Sequence, residues 1–173
     1  MSGKKVEKIY PLSNMQKGML YHSIKGTSSN AYFEQIVMDI KGSINEAFLE
    51  ESFHEIIKRH EILRASFNYK MNEPLHVILK DRKMKFNYMD ISAVDLNDKQ
   101  PYIENYLKED RSKGFDITKD TLMRVCLIKT EESFYKLVWS FHHILLDGWC
   151  IGIILDELFT IYSHKLKGTK HQL

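Results

Sequence analysis

Cysteine is scarce in this 173-residue chain: Cys126 and Cys150 are the two, and both sit inside apolar segments. Two such thiols build no disulfide framework, and no CxxC pair or Cys/His zinc spacing accompanies them. Proline (3) and glycine (8) are also few, which sets aside a collagen-like chain or a low-complexity linker. Neither sign of charge prevails. Lys and Arg number 25 against 23 Asp and Glu, so the net charge is +2, and the signs are mixed along the chain. That removes the basic field on which nucleic-acid binding depends. Long hydrophobic runs are missing too: the densest, Trp149 to Leu155, is too short to cross a bilayer and meets Asp156 and Glu157. The start, Met1-Ser2-Gly3-Lys4-Lys5, is basic but has no apolar signal core behind it. These absences read as a cytoplasmic protein without a nucleic-acid or membrane partner.

What remains is an ordinary globular composition, 43% apolar and 28% charged, in a chain long enough for one domain with a hydrophobic core. No internal repeat is visible. Ser13-Asn14-Met15-Gln16 has the form of a capping box behind Pro11, and Met15, Met19 and Leu20 then share a helix face. A strand is expected over Tyr32 to Ile40. A second capping box, within Gly42 to Glu46, opens a helix striped by Phe48, Leu49, Phe53, Ile56 and Ile57. Leu63 to Tyr69 and Leu75 to Leu79 read as strands about an Asn72-Glu73-Pro74 turn, and Phe86 to Asp90 as a short strand. Pro101 fits a first helical turn, with Ile103, Tyr106 and Leu107 inward and Gly114 as the stop. Leu122 to Lys129 and Phe134 to Phe141 read as a hairpin. The last helix, about Trp149 to Lys167, carries Ile151, Ile154, Leu155, Leu158, Phe159, Tyr162 and Leu166, with Gly168 as C-cap. The fold class is α/β, a mixed sheet flanked by helices.

Chemistry concentrates in Phe141-His142-His143-Ile144-Leu145-Leu146-Asp147-Gly148-Trp149, where a buried strand gives way to a long helix. Neighbouring residues at a strand end point to opposite sides, so one imidazole is expected in the core and the other at a cleft. Two opposed rings do not chelate one ion, and no HExxH pattern is present, so no metal site is expected. Asp147 is suited to holding the loop, by pairing with a buried cation or by capping backbone N–H groups. Gly148 lets backbone approach a ligand, and the N–H groups opening the next helix suit a developing negative charge. By spacing alone, a pair of satisfied core histidines and a catalytic pair both stay open.

The string resembles the HHxxxDG signature of the chloramphenicol-acetyltransferase-like superfamily, which includes coenzyme-A-dependent acyltransferases and the condensation domains of nonribosomal peptide synthetases. Arg59-His60-Glu61-Ile62-Leu63-Arg64-Ala65-Ser66-Phe67 resembles the condensation-domain motif RHExLRTxF, with Ala65 in place of Thr. Tyr10 to Leu20 resembles that family's opening motif, in the form common where donor and acceptor are both peptide-synthetase substrates, and leans toward an L-donor, L-acceptor subtype.

The resemblance implies a chloramphenicol-acetyltransferase-like lobe. Residues 10–173 are the amino-terminal subdomain of a condensation domain whose second lobe is absent, and residues 1–9 are a leader open to a docking role toward an upstream synthetase. It makes His143 catalytic and His142 structural. It has Asp147 hold the loop with Arg64 as its ion-pair partner, Arg59 give structural support, and the Gly148 backbone lie near the reacting centre. Partners would be the second lobe and the upstream and downstream carrier proteins, whose phosphopantetheine arms are the only cofactor, none being bound directly. Half a catalytic domain is expected to fold but to be inactive alone. The alternatives are a non-catalytic docking lobe and a coenzyme-A-dependent acyltransferase.

Overall fold

The computed structural model describes residues 5–25, 32–70 and 73–170. Two sheets organise them. The smaller has the order β1 (Val6–Pro11), β4 (Leu75–Leu79), β3 (Ala65–Asn68), all antiparallel. The larger has the order β2 (Phe33–Lys41), β7 (Phe134–His142), β6 (Met123–Glu131), β5 (Lys85–Asp90), with β5 parallel to β6 and the other pairs antiparallel. Among the described residues four α-helices complete the fold: α1 (Asn14–Lys25), α2 (Glu46–Arg59), α3 (Leu96–Lys113) and α4 (Gly148–Lys167).

The centre of the larger sheet is covered on both faces, which is why β6 and β7 read as nearly continuous apolar runs. Val125, Leu127, Leu137, Trp139 and Phe141 join a core shared with Phe53, Ile56 and Ile57 of α2 and Leu158 and Ile161 of α4. The alternate residues Cys126, Ile128 and Val138 belong to a second cluster with Ile91 and Ile103 of the α3 side. Burial there pushes the Cys126 thiol up to about 11, so it stays a protonated, packed side chain.

Local rules hold in several places. Ser13 Oγ accepts from the N–H of Gln16 at 3.2 Å and Gln16 Oε1 from the N–H of Ser13 at 3.1 Å, the reciprocal pattern of a capping box. Gly168, at φ 63°, takes the left-handed conformation that closes α4. Elsewhere packing overrides the local signal. Asn45, not Ser43, caps α2, accepting from Phe48 N at 3.1 Å, while its own N–H donates to the Tyr162 hydroxyl of α4 at 2.9 Å. Pro101 lies inside α3 rather than in its first turn, because Asp95 starts the helix six residues earlier. The expected strand from Leu63 is first a 3-10 turn over Glu61–Arg64, which directs Arg64 inward. On α4, Ile154, Leu158, Ile161 and Tyr162 are buried, but Phe159 and Leu166 of the expected stripe are exposed. Of the leader, residues 1–4 lie outside the described residues, and Val6 onward forms β1, paired with β4.

Candidate active site

β7 ends on His142, and its N–H donates to Leu122 O at 2.9 Å. His142 is 4% exposed and fully engaged. Its Nδ1 accepts from the N–H of Ile144 at 3.1 Å, so Nε2 carries the proton, which faces Ser23 Oγ at 3.2 Å. Ser23 Oγ in turn donates to Met19 O at 2.8 Å, one turn back on α1. Burial, with a smaller contribution from His143, lowers the His142 pKa to about 4 and keeps the ring neutral.

His143 follows the strand and is only half-buried. Its N–H donates to Tyr32 O at 2.8 Å. Tyr32 itself has φ 66°, a left-handed conformation that costs a tyrosine on the order of 1–3 kcal/mol. Local strain is thus stored at the residue whose carbonyl holds His143. The Nδ1 of His143 is buried and has no hydrogen-bond partner among the described residues. His54 Nε2, His76 Nδ1 and Trp139 Nε1 are likewise buried without a partner among the described residues, so what sets His143 apart is its place at the strand-to-helix junction.

Of the two roles expected for Asp147, the structure shows the cap and not the ion pair with Arg64. Asp147 is exposed, and its carboxylate caps α4, accepting from the N–H of Cys150 at 2.9 Å. That bond holds its carboxyl below the usual carboxylate range. Asp147 therefore holds the loop as a helix cap, not through Arg64, and it already uses a donor that the sequence left for a developing negative charge. Arg64 lies elsewhere, with its side chain 7% exposed. It pairs with Glu7 of β1 at 2.5 Å and donates to Ile57 O at 3.2 Å and Leu79 O at 2.7 Å. Arg64 is a staple between the smaller sheet and α2. Arg59 and His60 both bond Glu157, at 3.2 and 2.6 Å, tying the end of α2 to α4. A Cβ built on Gly148 meets no atom within 4 Å, so the chain's own packing does not require glycine there. Cys150 packs partly against the core.

Sequence reasoning missed Ser23 and Tyr32, which carry no motif signal, and a buried polar group on the α3 face of the larger sheet. In that group Asp110 accepts from Arg124 at 2.5 Å, Ser140 at 2.6 Å and Gln35 at 3.0 Å. A polar cleft of about 270 Å³ beside it, with Lys83, Lys85, Lys113 and Arg124 in its wall, is lined by none of the motif residues. Among the described residues there is no cluster of metal-ligating side chains. Nor, among them, is any helix long and apolar enough to cross a membrane.

The geometry thus places a half-buried imidazole between a buried, neutral histidine and a capped helix. The model of the family described as "Condensation domain" matches residues 6–173. The chain belongs to the condensation domain family. Curated condensation-domain proteins similar to it are large synthetases. Bacitracin synthase 3 of Bacillus licheniformis is 62% identical over 169 residues, 98% of this chain and 3% of that protein. Bacitracin synthase 1 of the same organism is 54% identical over 173 residues, 99% of this chain and again 3% of that protein. Among solved structures, the starter condensation domain of rhizomide synthetase RzmA superposes with a TM-score of 0.85 at 22% identity, covering 96% of this chain and 41% of that one. At that identity the likeness concerns the fold, which is the condensation-domain fold anticipated from the motifs. The chain spans 3% of the length of these curated relatives and about two fifths of that solved condensation domain.

Proposed function

We propose that this chain is the amino-terminal lobe of a condensation domain that joins two carrier-bound substrates by an amide bond. The observation that carries the reading is His143, half-buried at the strand-to-helix junction, with its N–H fixed by Tyr32 O and the buried, neutral His142 beside it. Exposed apolar side chains support the one-lobe reading. Trp149 (89% exposed) and Ile153 (58%) share one face of α4, and Met15 (71%) stands at the start of α1. Apolar surface on helices beside the candidate site suits a covering lobe better than solvent.

In the reaction, the acceptor amine attacks the donor thioester carbonyl. The C–N bond forms, the C–S bond breaks, and the sulfur leaves as the thiol once it takes a proton. An α-amino group titrates near ~7.7–8.0, so a useful fraction is neutral at neutral pH. His143 orients that amine by hydrogen bonding and accepts its proton as the tetrahedral intermediate forms. The phosphopantetheine arms belong to the carriers, and this chain holds no covalent intermediate, since neither Cys126, buried and protonated, nor Cys150 lies in a nucleophile motif. Placement of both thioesters supplies much of the acceleration, so one lobe alone does not catalyse.

The test uses the synthetase module that contains this chain, with donor and acceptor carriers loaded separately. His143→Ala is expected to slow dipeptide formation by about 10²–10⁴-fold with carrier loading intact. A rate near that of the unaltered module would overturn the assignment of His143. Dipeptide formation by the isolated 173-residue chain would overturn the one-lobe reading.

A further inference from the structure

Helix α1 meets the rest of the molecule mainly along one narrow seam, with the His22 ring also beside Tyr32. Of its twelve residues, Leu20 is buried, Gln16, Met19 and Ser23 are half-buried, and the other eight are exposed. Those four recur at i, i+3, i+4 and i+7, a single helix face. The seam is apolar in its middle and polar at both ends, and each polar end grips the segment that carries His143. Gln16 Nε2 donates to Ile144 O at 3.4 Å, and Ser23 Oγ lies 3.2 Å from His142 Nε2. The residue before His143 is held by its side chain and the residue after it by its carbonyl, while His143's own N–H is held by Tyr32 O.

From this arrangement we infer that α1 is a splint for the active-site imidazole, with Gln16 and Ser23 as positioning residues that act through Ile144 and His142. The inference rests on the proposed role of His143, and it adds two residues that touch neither substrate nor the reacting atoms. Gln16 serves two ends at once: Oε1 completes the capping box with Ser13 N, and Nε2 reaches the loop. Leu20, buried in the core with Met19 packed beside it, anchors the middle of the seam, and the two polar contacts fix its ends against the loop. An imidazole positioned to within about 0.5 Å needs a supporting shell whose own side chains are fixed, and here two turns of α1 supply it together with the Tyr32 carbonyl.

The chemistry of glutamine separates the two jobs. Gln16→Glu keeps an accepting oxygen for Ser13 N and removes the donor to Ile144 O. A role confined to capping would leave the loop unaffected. Ser23→Ala removes the hydroxyl facing His142, and Ser23→Thr restores it. The readout is amide hydrogen exchange and imidazole ¹⁵N shifts in the 173-residue chain, neither of which depends on turnover. In the Gln16→Glu/Ser23→Ala variant, exchange at the His143 and Ile144 amides is expected to rise at least tenfold, while Leu127 and Val138 in the sheet keep their rates. The His142 Nε2–H signal is expected to shift in Ser23→Ala and to return in Ser23→Thr. Unchanged exchange at His143 and Ile144, or a rise shared equally by Leu127 and Val138, would overturn the splint. Within the complete module the same double variant is expected to lower kcat at least tenfold with KM for the loaded carriers unchanged. A loosened loop with unaltered kcat, where His143→Ala is inactive, would also overturn it. Should His143→Ala prove active, the functional reading fails while the exchange experiment still decides whether α1 holds the loop.

Discussion

Arg64 reaches Glu7 at 2.5 Å across 57 residues of sequence, and the same guanidinium donates to the carbonyls of Ile57 and Leu79. The pair places a charge that is 7% exposed between β1, β4 and α2, where unpaired charge is costly.

Removing that guanidinium leaves Glu7 without its ion-pair partner and the carbonyls of Ile57, Leu79 and Lys80 without this donor. Arg64→Ala is therefore expected to destabilise the fold by about 3 kcal/mol or more, read by chemical denaturation. Arg64→Lys recovers only part of it, since an ammonium cannot span the fork. Glu7→Gln keeps an accepting oxygen but takes the counter-charge from the buried guanidinium, so it is expected to cost about 1–3 kcal/mol, less than Arg64→Ala because the carbonyl bonds stay. Equal effects of Arg64→Ala and Glu7→Gln would contradict a staple centred on Arg64.

Asp147 caps α4 through Cys150 N, and the oxygen of an asparagine can do the same. Asp147→Asn is expected to leave the melting midpoint nearly unchanged, whereas Asp147→Ala lowers it. Strong destabilisation by Asp147→Asn would point instead to a buried ion pair.

Burial holds His142 at about 4 against an ordinary value of 6.5. The unfolded chain therefore binds the proton first as pH falls. The sign follows: the stabilisation from a neutral His142 is complete above about pH 6.5 and is lost as pH falls toward about 4, a change of roughly 3 kcal/mol. Denaturation curves between pH 7 and 4 check this, and His142→Gln is expected to flatten that part of the profile. An NMR titration showing His142 protonated at pH 6 would rule it out.

Gly148 has open space where a Cβ would stand. Gly148→Ala is expected to fold as well as the unaltered chain, gaining at most about 1 kcal/mol of helix preference. In the complete module, if the Gly148 backbone lies near the reacting centre as proposed, the added methyl is expected to slow condensation at least tenfold. Unaltered condensation by a well-folded Gly148→Ala module would remove Gly148 from the site.

Much of this was legible in the chain because it is local. The Ser13–Gln16 box spans three residues, the stripe of Leu49, Phe53, Ile56 and Ile57 follows the helix period, and the β6–β7 hairpin joins two apolar runs across a polar turn. The three motifs, read in order, led to the condensation-domain fold and to His142 and His143 as the pair to examine. β1 escaped notice because its six residues are all exposed and show no buried alternation. What gives them a strand is the register of β4, nearly seventy residues further on.

Sequence by itself determined which residues can do chemistry here, since an imidazole, a capping carboxylate and a glycine at fixed spacing are properties of side chains and of the peptide between them. Tertiary structure decided who holds them. Ser23 meets His142 across 119 positions and Gln16 meets Ile144 across 128, while Arg64 turned to Glu7 rather than to Asp147. Such pairings carry no local signature, because a hydrogen bond between distant residues forms only after the sheets and helices have packed and brought the two groups within reach.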